Sequence, residues 1–264
     1  MKIAIIGTGN LGQSIAKGLV TSNSFTSLYL TRRKTAEIES FKDNPNIRVT
    51  ANNIAAVNGS EILILAVQPT QLENILEEIK PHLTAKHVII STVTGFSIDR
   101  IQAIVGEDKY ILRAMPNTAI AVGKSMTCLC SNTNGQNQIP VAEAIFKKLG
   151  STIIIPENKM QAATVICASG IAFWMRLIRA TTQGAIQLGF DAKDAHELSM
   201  QTCLGAASLL LDSGKHPEEE IDKVTTPMGC TIEGLNEMEH NGLSSSLIKG
   251  IKASFNKINT ITNT

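Results

Sequence analysis

Apolar and polar positions change rhythm near the middle of the chain. Up to Pro156, short apolar or β-branched runs alternate with stretches spaced as amphipathic helices. Strands are predicted at residues 3–6, 27–30, 61–67, 87–93, 110–114 and 152–155. Helices are predicted between several of them, at 13–20, 70–79 and 98–105. The run 62–67 is apolar almost throughout, as a parallel strand covered on both faces requires. Strands alternating with helices predict a doubly wound parallel sheet, an α/β fold of Rossmann type.

After Pro156 no strand pattern recurs. One long helical segment is expected over 160–188. Further helices are expected over 192–211, 231–239 and 244–258, with a frayed tail over 258–264. The expected division is an N-terminal cofactor domain over 1–156 and an all-α domain over 157–264. A helical unit of that size hides little apolar surface by itself, so pairing with a second copy is expected.

Composition narrows the partners. The chain has 264 residues, 43% hydrophobic and 18% charged, with a net charge of +1. Neither nucleic acid nor a membrane surface is favoured by that balance. No apolar run reaches the ~20 residues of a membrane span. The N-terminus runs straight from a strand into a glycine turn, without the apolar core of a signal peptide. Five cysteines with no C-x-x-C pair suit a reducing compartment, so a cytoplasmic protein is expected.

The candidate chemistry starts at Gly7-Thr8-Gly9-Asn10-Leu11-Gly12, which follows a strand and opens a helix. In that context the glycine spacing is a dinucleotide fingerprint. Gly7 permits the tight turn, Gly9 admits the pyrophosphate and Gly12 lets helix and strand pack closely. The start of the helix offers N–H groups to the phosphates. The next strand ends in Thr31-Arg32-Arg33-Lys34, where an NAD site would carry an acid. Three cations and no acid favour a 2′-phosphate, so NADP, with NADPH preferred over NADH, is expected. Strand ends line the crevice in such sheets. That places Asn53, the segment Ala66, Val67, Gln68 and Pro69, and the segment Met115, Pro116 and Asn117 beside the cofactor.

A second constellation lies at residues 223–239, KVTTPMGCTIEGLNEME. Pro227, Gly229 and Thr231 precede an amphipathic run, where backbone N–H groups and a hydroxyl can hold a small anionic substrate. This stretch, extended back to residue 201, and RAMPNT at 113–118 followed by AVG at 121–123, resemble the pyrroline-5-carboxylate reductase family. The family signature V-T-S-P-G-G-x-T-x-x-G-L is matched except that Thr226 replaces Ser and Met228 replaces Gly. The resemblance runs over nearly the whole chain.

The resemblance implies NAD(P)H-dependent reduction of 1-pyrroline-5-carboxylate to L-proline, by a Rossmann domain followed by a helical dimerisation domain. In the family, dimers often assemble into larger rings. It implies that the Thr231 hydroxyl contacts the ring nitrogen of the substrate. N–H groups around Gly229, Cys230 and Thr231 would hold its carboxylate, with Met228 beside them. Asn53 would contact the cofactor ribose, and Pro116 and Asn117 would lie beside the nicotinamide.

The chain departs from the family at Met228. Ile171 also replaces a proline, which predicts a more continuous helix. Arg179 and Gln183 stand where acids are usual. Two alternatives therefore stay open: a related imine reductase acting on another small imino acid, and a catalytically weak NADP-binding paralogue.

Overall fold

The structure, a computed structural model, describes the backbone of residues 1–262 and the side chains of residues 1–260. It divides into two compact units. One is Met1–Ser169 together with the chain from Phe255 on; the other is Gly170–Ser254.

The first unit is built on β1 (Lys2–Ile6), α1 (Asn10–Thr21), β2 (Ser27–Thr31), β3 (Ile47–Thr50), α2 (Asn53–Asn58), β4 (Ile62–Leu65) and α3 (Pro69–Ile79). It continues through β5 (Val88–Ser91), α4 (Ile98–Val105), β6 (Tyr110–Met115), β7 (Ser125–Ser131), α5 (Ile139–Phe146) and β8 (Gly150–Ile154). The eight strands form one sheet in the order β3-β2-β1-β4-β5-β6-β7-β8. Every pairing is parallel except β6 with β7. The doubly wound α/β fold expected of the sequence is present.

Alternation along β1 shows how the sheet is held. Ile3 and Ile5 pack on one face with Ile15 and Leu19 of α1 and with Ile145 and Phe146 of α5. Ala4 and Ile6 pack on the other face with Leu72 and Leu76 of α3 and Ile101 of α4. A slip of one residue would exchange these two sets, so burial on both faces fixes the register. Neighbouring β4 reads ILIL and is buried at every position.

Two strands were not expected from the sequence. Strand β3, IRVT, is short and carries Arg48. Strand β7, SMTCLCS, mixes polar and apolar residues and reverses direction against β6. Antiparallel pairing there accommodates a strand without a continuous apolar run.

Beyond β8 the chain becomes helical but does not leave the sheet at once. Helix α6 (Met160–Ala163) leads into a π-helical turn, Thr164–Ser169, and then into α7 (Gly170–Gln187). Met160, Thr164 and Val165 are buried. The helical run Glu157–Gln187 is unbroken, as the loss of a proline at Ile171 predicts, although it contains a π turn. No uninterrupted apolar run of ~20 residues is present, as expected, yet one helix is long and apolar enough to cross a membrane. By length and composition this 31-residue helix qualifies, and most of its apolar stretch is not buried. Polar residues flank its apolar positions and mask this length in a linear reading.

The second unit contains α7, then α8 (Ala192–Ser213), α9 (Pro217–Val224), α10 (Cys230–His240) and the start of α11 (Leu243–Thr262). Helix α9 was not expected from the sequence. Helix α11 continues to Thr262 where fraying was expected. Residues 263–264 lie outside the described residues. Helices α7 and α8 pack together, yet only Gly170, Thr182, Ala195 and Ser199 are buried on them. Trp174, Leu204 and Leu209 are each more than half exposed.

One ion pair ties β6 to the start of the helical run. Arg113 is 4% exposed, and its Nη1 lies 3.0 Å from Glu157 Oε1, which also accepts the Ile98 N–H at 2.7 Å. Removing the carboxylate strands a buried guanidinium and an orphaned helix-start N–H. Glu157 is itself partly exposed, which lowers the cost. Glu157→Ala is expected to destabilise the first unit by about 2–3 kcal/mol in urea titration. A loss below about 0.5 kcal/mol would show that the pair is dispensable.

Candidate functional site

The order of the strands places a crevice where β1 and β4, the topological switch neighbours, end side by side. A cavity of about 920 Å³ opens there. It is lined by Ile6 to Gly9 after β1, by Thr31 to Lys34 after β2, by Ala51 and Asn53, and by Ala66 to Gln68 after β4. Gln71, Asn74, Ile75 and Glu78 of α3 and Glu37 complete it.

Each glycine of the turn has its own task. Gly7 has φ +92°, and a Cβ there would lie 2.3 Å from Val67 Cγ1 and 2.8 Å from the Ala66 carbonyl oxygen. A Cβ at Gly12 would lie 2.5 Å from the Gly7 carbonyl oxygen, whereas one at Gly9 would meet nothing within 4 Å. Gly7 and Gly12 therefore serve packing, and Gly9 leaves space. The turn is pinned to β2, since Thr8 N–H donates to Thr31 O at 2.8 Å and Gly7 N–H to Thr31 Oγ1 at 3.3 Å. Helix α1 starts after Gly9, with no side-chain cap among the described residues, which leaves its first-turn N–H groups to an anion. Thr8 is fully buried, and its Oγ1 has no hydrogen-bond partner among the described residues. A nucleotide pyrophosphate fits this donor set.

Two acids line the cavity that sequence reasoning missed. Arg32 Nη1 donates to Thr8 O at 2.6 Å, and its Nη2 is paired with Glu37. Asn53 Nδ2 donates to Glu78 Oε2 at 3.0 Å. Glu37 lies in the first turn of a 3₁₀ segment, Thr35–Asp43, which follows β2 and sets it beside Arg32, five positions earlier. Glu78 arrives from α3. Arg33 and Lys34 are exposed at the cavity and have no ion pair among the described residues.

The cavity gathers Gly7, Gly9, Thr31, Arg32, Arg33, Asn53, Ala66, Val67 and Gln68. It does not include Asn10, Leu11, Gly12, Pro69, Met115, Pro116 or Asn117 in its lining. Asn10, Leu11 and Gly12 form the first turn of α1, and Pro69 opens α3. Met115 and Pro116 are buried at the end of β6. Asn117 is held from three sides. Its N–H donates to Ser125 Oγ at 3.1 Å, its Oδ1 accepts from Ala119 N–H at 2.9 Å, and its Nδ2 donates to Cys167 O at 2.9 Å.

The second constellation lies in the helical unit. Gly229 N–H donates to Thr226 O at 3.0 Å and closes a turn over Pro227 and Met228. Met228 has φ +58°, so this methionine occupies the left-handed conformation that a glycine adopts freely. With proline second and a left-handed residue third, the turn is of the type II kind. The Met228 side chain is 98% exposed, and Gly229 is needed for closeness, because a Cβ there would lie 2.4 Å from Thr226 Oγ1. One expectation changes here. The Gly229 N–H belongs to the turn, so the donors left for a carboxylate are those of Cys230 and Thr231 at the start of α10. That start has no side-chain cap among the described residues.

Comparison with known proteins follows the same division. Residues 157–261 match the family model for pyrroline-5-carboxylate reductase dimerisation, and residues 2–95 match a model described as NADP oxidoreductase, coenzyme F420-dependent. Pyrroline-5-carboxylate reductase 2 of Dictyostelium discoideum is 43% identical over 286 residues, covering 98% of this chain and 96% of that protein. The chain belongs to the pyrroline-5-carboxylate reductase family. It is an oxidoreductase with an NADP-oxidoreductase-type domain at its N-terminal end.

Pyrroline-5-carboxylate reductase 1 of the same organism is 47% identical over 97% of this chain, which spans about half (49%) of that protein's length. Among solved structures, the family member from Coxiella burnetii superposes with a TM-score of 0.90 at 28% identity, covering 98% of this chain and 97% of that one. The Plasmodium falciparum pyrroline carboxylate reductase, solved with NADP bound, has the same fold. Its TM-score is 0.89 at 24% identity, covering 99% of this chain and 98% of that one.

The glycines separate folding from binding. Gly12→Ala is expected to destabilise the first unit by about 1–3 kcal/mol, because a methyl is forced against the Gly7 carbonyl. Gly9→Ala is expected to leave thermal unfolding within a degree or two, while weakening NADPH binding roughly tenfold or more by filling the phosphate space. Fluorescence titration beside thermal melts checks both. Equal losses of stability in the two variants would refute the division of labour.

Proposed function

We propose that this chain reduces 1-pyrroline-5-carboxylate to L-proline with NADPH. The reading rests on family membership and on one observation above the rest. The turn Thr226–Gly229 survives a methionine in its left-handed position and presents an open helix start with Thr231 in its first turn. A cyclic imine bearing a carboxylate needs those two features. The N–H groups of Cys230 and Thr231 hold the anionic end, aided by the positive end of α10. The Thr231 hydroxyl fixes the ring nitrogen. The protonated imine is already electrophilic, so no protein acid of strong character is required. The nicotinamide, when bound, supplies the hydride.

The cofactor half is assigned to residues 1–156. The turn at Gly7 to Gly12 takes the pyrophosphate, Arg33 and Lys34 meet the 2′-phosphate, and Asn53 meets a ribose. Arg32 starts out paired with Glu37 and exchanges that carboxylate for phosphate. Residues 157–264 form the helical dimerisation and substrate domain. Helix faces carrying Trp174, Leu204 and Leu209 supply the apolar surface of a homodimer, which in turn can build a larger ring. The thiols are all free among the described residues, in keeping with a reducing compartment such as the cytoplasm.

Purified protein mixed with NADPH and pyrroline-5-carboxylate is expected to consume NADPH. In that assay Thr231→Ala is expected to lose about 0.5–1.5 kcal/mol of transition-state binding, roughly twofold to tenfold in kcat/KM. Absence of turnover on pyrroline-5-carboxylate, with turnover on another cyclic imino acid, would transfer the assignment to the related imine reductase that Arg179 and Met228 suggest.

Cofactor choice has its own measurement. Arg33→Ser is expected to lower the NADPH-to-NADH ratio of kcat/KM about fivefold. Glu37→Gln, which releases Arg32, is expected to raise it. A ratio unmoved by both substitutions would show that the 2′-phosphate is held elsewhere.

A further inference from the structure

Outside the crevice, two thiols meet. Cys128 lies on β7, 3% exposed, and its Sγ is 3.8 Å from Sγ of Cys167, which sits half-buried in the π turn Thr164–Ser169. Their surroundings differ. Cys128 is fixed in a strand paired on both sides, to β6 and to β8. Cys167 belongs to a single π turn inside a helix, a form that carries one residue more than an α turn and can reshape locally. The hydrogen bond from Cys128 holds the Cys167 thiol down to about 7, against the opposing effect of its burial. The same bond, with burial, pushes the Cys128 thiol up. Cys167 is the more accessible of the two thiols and is placed to attack, whereas Cys128 is shielded from solvent. Cys130, two residues along the same strand, is pushed up to about 11, first by burial.

We propose that Cys167 and Cys128 form a redox-active dithiol, which a hydroperoxide converts to a disulfide, with Cys167 attacking and Cys128 resolving. The Cys167 thiolate attacks a peroxide oxygen, and the O–O bond breaks. The sulfur is oxidised to a sulfenic acid while the peroxide is reduced to water or an alcohol. Cys128 sulfur then attacks the sulfenic sulfur. The S–S bond forms, the S–O bond breaks, and hydroxide leaves with the Cys128 proton as water. For hydrogen peroxide the sum is two thiols and one peroxide giving one disulfide and two waters.

Closing the sulfurs from 3.8 Å to a bond of about 2.05 Å requires movement. The π turn moves, because the strand is locked on both edges. The Cys167 carbonyl is the acceptor for Asn117 Nδ2. Oxidation therefore disturbs Asn117, which also caps the short helix Thr118–Val122. The formation of the disulfide is independent of which imine the protein reduces; only the effect on turnover rests on the proposed function.

The test treats the reduced full-length protein with one equivalent of hydrogen peroxide at neutral pH and follows it by peptide mass mapping. The expected product links the peptides carrying Cys128 and Cys167 with a loss of roughly 2 Da. NADPH-dependent turnover is expected to fall roughly tenfold or more and to return with dithiothreitol. Cys128→Ser, whose hydroxyl keeps a donor beside Cys167 but cannot resolve, is expected to keep basal turnover and to leave a Cys167 sulfenic acid that dimedone labels. The proposal is overturned if Cys167 oxidises no faster than the exposed Cys230, or if Cys128 pairs with another cysteine. A linked pair with unchanged turnover would overturn the coupling to Asn117. The wild-type mass map decides the pairing even if the variant fails to fold.

Discussion

The closeness of two backbones, the Gly7 turn and the end of β4, is the constraint on which the cofactor half depends. Any side chain at Gly7 would occupy the place of the Val67 methyl and the Ala66 carbonyl. Because β1 and β4 pair directly and run in the same direction, their ends open on the same side of the sheet. The turn then has only one way out, over the edge of the crevice and into α1. Gly12 repeats the constraint one step later by letting α1 rest against the Gly7 carbonyl. The phosphate-facing N–H groups are thus aimed by packing in the core, and no polar side chain is needed to aim them.

That economy explains which parts of the molecule are legible in the sequence. Strand, turn and helix at residues 2–21 are specified by neighbours in the chain, so spacing alone reveals them. Strands β3 and β7 are specified by what they pair with. IRVT and SMTCLCS have no periodic signal of their own, and the antiparallel sense of β7 is a property of the sheet. Glu37 was hidden for a related reason. The local pattern places such an acid at the end of β2, and none is present there. A 3₁₀ segment sets one at the cavity, five residues beyond Arg32. Glu78 comes from a helix that no local pattern connects with the nucleotide. The π turn at 164–169 left no trace in the pattern either, since one extra residue in a helical turn leaves the surrounding residues helical.

Charge pairs in the crevice change the meaning of its cations. Arg32, Arg33 and Lys34 are equivalent as letters in a sequence. In the fold, Arg32 is spoken for by Glu37 and by the Thr8 carbonyl, while its two neighbours are open. A phosphate arriving at Arg32 must displace a carboxylate, and it recovers only the difference between two charge-assisted contacts. At Arg33 and Lys34 it meets exposed cations that have no ion pair among the described residues. The crevice thus offers a phosphate two open cations and one that is already paired.

The turn before α10 keeps its shape by a different compromise. Methionine at a left-handed position carries a backbone penalty of about 1–2 kcal/mol, and the turn nonetheless holds its shape. It can do so because Pro227 fixes the residue before it, the Gly229 N–H closes the ring on Thr226, and Gly229 admits the close approach of that threonine. Three constraints around one strained residue over-determine it. The exposed thioether then changes what borders the helix start without changing where the helix starts. Main-chain donors at a helix start tolerate such a change of side chain, since their positions are set by the fold of the turn and not by the side chains it carries.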